Sequence, residues 1–201
     1  MKRIAYFIVF AAFAMGLSSC GGSNEAVDLN SLPLNEQISL LDAKIRKEPN
    51  NAELFKLRAE ALLKSEKTDE ALSDIQKAIA LNPKAAEYYV LQADILFVQG
   101  ENALAFSALQ NAIEKDGKCK EAYLKTAELS LYLKDYEKVL FNVNQVMRLD
   151  RNEAKAYFLR GWVMKEQGDT AKAVADYRKA VELKGDYEQA FEELGNLYAI
   201  K

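Results

Sequence analysis

The chain has 201 residues, with 27 Lys and Arg against 30 Asp and Glu, a net charge of −3 at pH 7 and no histidine. That balance provides no basic field for nucleic acid, and no Lys/Arg stripe with interleaved aromatics appears. Without His, a supported Ser–base pair or a phosphate-cradling glycine loop, the sequence points away from an enzyme and from a metal or cofactor site.

Met1-Lys2-Arg3 is basic, and an apolar run of about 14 residues follows from Ile4 to Leu17. The run is too short to span a bilayer, which takes about 20 residues, and fits the apolar centre of a secretion signal. Leu17-Ser18-Ser19-Cys20 comes next. This quartet resembles the lipobox of bacterial lipoproteins, in which small residues admit the protease and the cysteine thiol takes the lipid. The resemblance implies a leader over 1–19, a lipidated Cys20 and stable anchoring by two or three acyl chains. Gly21 stands where an inner-membrane retention signal would place Asp, so the expected location is the bacterial cell envelope, at the outer membrane; the leaflet is left open. Residues 20–33 read as the anchor and a polar tether reaching up to about 40 Å.

Leu34–Lys47 shows one amphipathic helix through Leu34, Ile38, Leu41 and Ile45, and Glu48-Pro49 ends it. It reads as a capping helix over 34–51. From Ala52 onward the chain repeats every 34 residues. Phe55 leads to Tyr89, Tyr123, Tyr157 and Phe191; Ala59 leads to Ala93, Ala127, Gly161 and Gly195; Ala71 leads to Ala105, Val139 and Ala173; Ala78 leads to Ala112, Val146 and Ala180. A period held in several registers marks stacked helical hairpins that bury one face against their neighbours. Small residues sit where two helix backbones approach to about 8–10 Å. Gly100 and Gly168 fall between the two helices of their units, where a left-handed cap suits glycine.

The period and these residue types resemble the tetratricopeptide repeat. Units are read over 52–85, 86–119, 120–153 and 154–187, the third being the most divergent with Ser130, Val139 and Val146. Residues 188–201 supply only the first helix of a fifth, as a C-terminal cap or as a contact for a homodimer. The resemblance implies an all-α fold, an α-solenoid of stacked helix–turn–helix repeats wound as a right-handed superhelix. Cys119 falls in the turn between the second and third units, an inert exposed thiol or the site of a mixed disulfide with a partner.

In the resembled family, positions 2, 5, 9 and 12 of each first helix line a concave groove. Here they supply an apolar track of Val90, Phe97, Leu124, Leu131, Phe158 and Trp162, beside an acidic rail of Glu53, Glu60, Glu87, Asp94, Glu121 and Glu128, with Lys56 and Lys165 at the ends. The family's carboxylate clamp is not built, because Glu60 replaces the required Asn. The expected partner is an apolar segment with basic flanks, anchored on Trp162. The bland alternatives are that positions 5 and 12 are apolar because neighbouring first helices touch, and that the acids form only a solvated face. The function expected is a membrane-anchored scaffold or adaptor of the bacterial envelope; the alternative is a structural accessory subunit of an envelope assembly, uptake or motility complex.

Overall fold

A computed structural model describes residues 28–199. The expected leader, Cys20 and the expected tether as far as residue 27 lie outside the described residues, as do Ile200 and Lys201. Ten α-helices and no strand are found among the described residues. They are α1 (Leu34–Lys47), α2 (Ala52–Lys64), α3 (Thr68–Leu81), α4 (Ala86–Val98), α5 (Asn102–Lys115), α6 (Lys120–Tyr132), α7 (Tyr136–Leu149), α8 (Ala154–Glu166), α9 (Thr170–Leu183) and α10 (Glu188–Ala199). The helices pair as α2 with α3, α4 with α5, α6 with α7 and α8 with α9, and each pair stacks on the next. The leading helices α2, α4, α6 and α8 also touch in succession, so they form one continuous face. None of these helices is long and apolar enough to cross a membrane.

The small residues of the 34-residue tracks are buried where they were expected to be: Ala59, Ala71 and Ala78, then Ala93, Ala105 and Ala112, then Ala127, Val139 and Val146. The tyrosines at the fourth position do more than fill the core. Tyr89 donates its hydroxyl to the Pro83 carbonyl at 3.0 Å, Tyr123 to Gly117 at 3.3 Å and Tyr157 to Arg151 at 3.0 Å. Each therefore latches the turn six residues before it. The end positions of this track, Phe55 and Phe191, have no hydroxyl to offer.

The turn inside each pair is a Schellman cap. In the first, Lys67 N–H donates to the Leu62 carbonyl at 2.9 Å and Glu66 N–H to Leu63 at 3.0 Å; the same pattern recurs 34, 68 and 102 residues on. Its closing residue must enter the left-handed region. Gly100 and Gly168 do so at φ +81°, but Glu66 (+62°) and Lys134 (+59°) carry a side chain there. A side chain in that region is strained by about 1–2 kcal/mol, offset in part by the extra freedom glycine gives the unfolded chain. Glu66→Gly and Lys134→Gly are each expected to raise stability by about 0.5–1 kcal/mol, read as a higher urea midpoint.

Only the first unit ends its second helix at a proline, yet α5 and α7 stop at the same register. Asp116 Oδ1 accepts from Lys118 N–H and Asp150 Oδ1 from Asn152 N–H, both at 2.9 Å, as Asn82 Oδ1 accepts from Lys84 N–H at 3.4 Å. An Asx turn thus does the work that the missing prolines would do.

The terminal helices differ from the interior ones. Leu29–Ser31 is a 3-10 turn, and Gln37 Nε2 donates to the Leu32 carbonyl at 2.7 Å. The last part of the expected tether therefore holds a helical turn, and Leu32 is bonded to α1. In α1, Leu41 is buried, but Gln37 and Lys44 occupy the places that Ala71 and Ala78 hold in α3. Their bulk and polarity close that end of the stack. At the other end, Leu194 and Leu197 pack against the core of the fourth unit, while Phe191 and Tyr198 are exposed.

Two units are tied across their helices by a bidentate ion pair. Arg58 Nε and Nη2 donate to Asp74 at 2.6 and 2.7 Å, and Arg160 Nε and Nη2 donate to Asp176 at 2.8 and 2.6 Å. Arg58 also reaches Asp42 of α1. The middle units have Gln92 with Ala108 and Thr126 with Asn142 at these positions. Thr126 and Asn142 are satisfied within their own helices, by the Ala122 and Lys138 carbonyls.

Candidate binding groove

Three adjoining cavities run along the face made by the leading helices. The first, about 270 Å³, is lined by Lys56 and Glu60 of α2, Glu87, Val90, Leu91 and Asp94 of α4, Cys119, and Glu121 and Lys125 of α6. The second, about 220 Å³, shares Asp94 and Lys125 with it and adds Phe97, Leu109, Glu128 and Leu129. The third, about 550 Å³, shares Glu128 and is walled by Leu131, Tyr132, Tyr136, Phe158, Trp162 and Tyr187. Shared walls make the three one trough from the first unit to the start of α10.

The acidic rail is not a free rail. Lys56 bridges Glu53 at 3.3 Å and Glu60 at 3.1 Å within α2. Further along, lysines of one leading helix reach back to the previous one: Lys125 to Asp94 at 2.9 Å and Lys155 to Glu128 at 2.6 Å. Lys125 also lies 3.5 Å from Glu121, and Lys165 reaches forward to Glu193 at 2.7 Å. Five of the six rail acids are thus partnered, and Glu87 has no ion pair among the described residues. Burial pushes the Asp94 carboxyl above the usual range against the opposing pull of Lys125. Burial pulls Lys125 down, yet Asp94, Glu121 and Glu128 together hold it above its ordinary value.

The apolar track divides. Val90, Leu124 and Phe158, all at the fifth position, are buried between neighbouring leading helices. They pack between the helices; Val90 and Phe158 also line the trough, and Leu124 lines none of the three cavities. Phe97 is 42% exposed and Leu131 is half-buried on the cavity wall. Trp162 is half-buried, edge to face with Phe158 at 5.8 Å, and Lys165 Nζ sits 4.6 Å from its ring centroid. Phe158 also meets Tyr187 at 5.1 Å. Burial pushes the Tyr187 phenol up to about 12, so it stays a neutral donor over the physiological range.

Lys125, Tyr132, Tyr136 and Tyr187 belong to the trough but not to the four positions from which it was expected. Lys125 could have been found from its i,i+4 spacing to Glu121; Tyr187, the residue before α10, carries no such signal. Cys119 is half-buried on the wall of the first cavity rather than exposed, and burial pushes its thiol up. Neither acid cluster nor thiol assembles a metal-binding group among the described residues.

Comparison with known proteins bears on this geometry directly. Residues 56–118 match the family described as Tetratricopeptide repeat, and residues 163–199 match TPR repeat. Over these two stretches the chain is similar to that repeat. A further match is Tetratricopeptide repeat protein 37 of Xenopus laevis, 38% identical over 74 residues; this is 37% of the present chain but 5% of that protein. Among solved structures, the chain resembles TTC0263, a tetratricopeptide protein of Thermus thermophilus, with a TM-score of 0.68, 17% identity and coverage of 83% of this chain and 91% of the other. MamA gives a TM-score of 0.67 at 20% identity, covering 78% and 91%. YrrB, described as a tetratricopeptide protein with an unusual peptide-binding site, gives 0.63 at 18%, covering 80% and 82%. Identities this low establish the shared fold alone. Stacked helical repeats form extended concave surfaces.

Proposed function

We propose that this chain is a scaffold or adaptor of the bacterial cell envelope, held at the outer membrane by lipid on Cys20 and capturing segments of other envelope proteins in its trough. The observation that carries the binding half is the continuity of the three cavities, ending in an aromatic cavity of about 550 Å³ around Trp162. Buried aromatics of this kind concentrate binding energy. The membrane half rests on the run Leu17-Ser18-Ser19-Cys20 and its basic, apolar leader. In this reading α10 closes the far end of the stack rather than pairing two copies. YrrB, with its peptide-binding site, shares the fold and supports the binding half by analogy.

Photo-crosslinking in the native envelope tests both halves. A benzophenone residue in place of Trp162 should form adducts that the same residue in place of Lys179, which lines none of the three cavities, does not. A changing set of clients fits an adaptor; one fixed stoichiometric product fits a structural subunit of a larger assembly. Identical adducts from both positions would remove the trough as a partner site. Growth on labelled palmitate should mark the parent chain and leave Cys20→Ser unmarked; label on both would remove the anchor. The ion pairs call for neutral changes rather than reversals: Glu60→Gln with Asp94→Asn and Glu128→Gln should weaken capture of a basic client by about tenfold, read by pull-down at matched salt.

A further inference from the structure

At the thirteenth place of the four units stand Lys64, Val98, Tyr132 and Glu166. The outer two are charged and the inner two apolar, so the hairpin itself does not require an apolar side chain here. Val98 is 62% and Tyr132 66% exposed, and Leu133 at 46% and Phe97 at 42% join them. Phe97 of α4 and Tyr132 of α6 meet edge to face with ring centroids 5.5 Å apart. Scattered apolar side chains are normal on a surface, whereas a contiguous group marks an interaction site. This shelf is continuous with the trough, because Phe97 lines the second cavity and Tyr132 the third.

Charge varies along the same path. The first cavity sets Glu60, Glu87, Asp94 and Glu121 against Lys56 and Lys125. The third balances Glu128 and Glu166 with Lys134 and Lys155. One end of the trough is therefore acidic and the other neutral and aromatic. We propose that trough and shelf together bind one amphipathic protein segment, its basic end over the first cavity and its apolar end filling the third and spreading over Val98, Tyr132 and Leu133. This rests on the trough being a partner site and adds the partner's chemistry: charge and apolar residues segregated into two halves, not interleaved. The leading helices are spaced by about 8–10 Å, so α2 to α8 is a path of about 25–30 Å, within reach of a segment of about twelve residues.

The test uses the full chain in detergent micelles and three synthetic fluorescent peptides of that length, followed by anisotropy. One has a Lys/Arg half and a Leu/Trp half; one has the same composition interleaved; one has Glu in place of Lys and Arg. The segregated peptide should bind about tenfold tighter than either comparator. Val98→Ser with Tyr132→Ser, both on the surface, should weaken it about tenfold, and Lys64→Ser should change nothing. Equal affinity for the segregated and interleaved peptides overturns the proposal. Weakening by Trp162→Ala without weakening by the shelf pair overturns the shelf and leaves the trough. Binding of no peptide, or indifference to both changes, overturns both. A dimer that the shelf pair dissociates, or vesicle binding that it abolishes in Cys20→Ser, assigns the shelf to a second copy or to lipid and equally overturns it.

Discussion

Gly161→Ala should lower the stability of the chain by about 1–3 kcal/mol, the usual cost of forcing a methyl group into a filled core. A Cβ at Gly161 would lie 2.9 Å from both Cδ1 and Cε1 of Tyr177 and 3.2 Å from Cβ of Asp176. Tyr177 has no room to retreat: it is fully buried, with the Phe158 ring 5.6 Å away. The other units show why the pair is matched. Where Ala59, Ala93 and Ala127 stand at the eighth position, the facing residues are Ile75, Leu109 and Val143. In the fourth unit glycine gives up its methyl to an aromatic ring. Tyr177→Leu should therefore rescue Gly161→Ala, with a coupling of about 1 kcal/mol or more in a double-mutant cycle. Tyr177→Phe should not rescue it, because the ring remains. That change alone should be neutral or stabilising by about 1 kcal/mol, since the Tyr177 hydroxyl is buried with no hydrogen-bond partner. A urea midpoint for Gly161→Ala equal to the parent's would show that the ring has space after all.

Arg58→Ala should cost more, about 2–4 kcal/mol, because removing one member of a buried pair strands the other. Asp74 is 9% exposed at its side chain and Arg58 22%, so screening by water trims the effect without removing it. Arg58 also joins three helices, holding Asp74 of α3 and Asp42 of α1 from its place on α2. Its loss should release α1 before the rest, seen as faster amide exchange over residues 34–47. Asp42 is 41% exposed, and Asp42→Ala alone should cost under about 1 kcal/mol, as exposed pairs do. Replacing both members by apolar residues, Arg58→Met with Asp74→Leu, should recover most of the loss. Equal destabilisation by the single and the double change would mean that the site works by shape rather than by charge.

The helical stack was legible because its code is small against large. Ala59, Ala71 and Ala78 with their counterparts recur at a spacing that only paired, stacked helices can use, and no partner is needed to interpret them. The turns were half legible. Gly100 and Gly168 announced a left-handed cap, but Glu66 and Lys134 make the same turn, since hydrogen bonding over-determines it. The site was less legible for a definite reason. A side chain at the fifth position faces both the next leading helix and the trough, and which contact takes it depends on how closely two helices pack. Val90, Leu124 and Phe158 go to the packing. The rail looked acidic because Lys125, outside the four expected positions, and Lys155, within them, answer Asp94 and Glu128 only when adjacent leading helices are in place. The brackets Arg58–Asp74 and Arg160–Asp176 were open to view, each member being 102 residues, three periods, from its twin.

Those brackets sit in the first and fourth units only; the second has Gln92 and Ala108 at these places, and the third satisfies Thr126 and Asn142 inside single helices. A stacked rod whose outer segments are cross-braced and whose inner ones are not has its compliance in the middle. Wedging a guest between α4 and α8 should then bend the rod at its centre, with the outer hairpins swinging as rigid arms. The same inner segments carry the uncovered Val98, Phe97 and Tyr132, so the spring and the surface that would load it coincide.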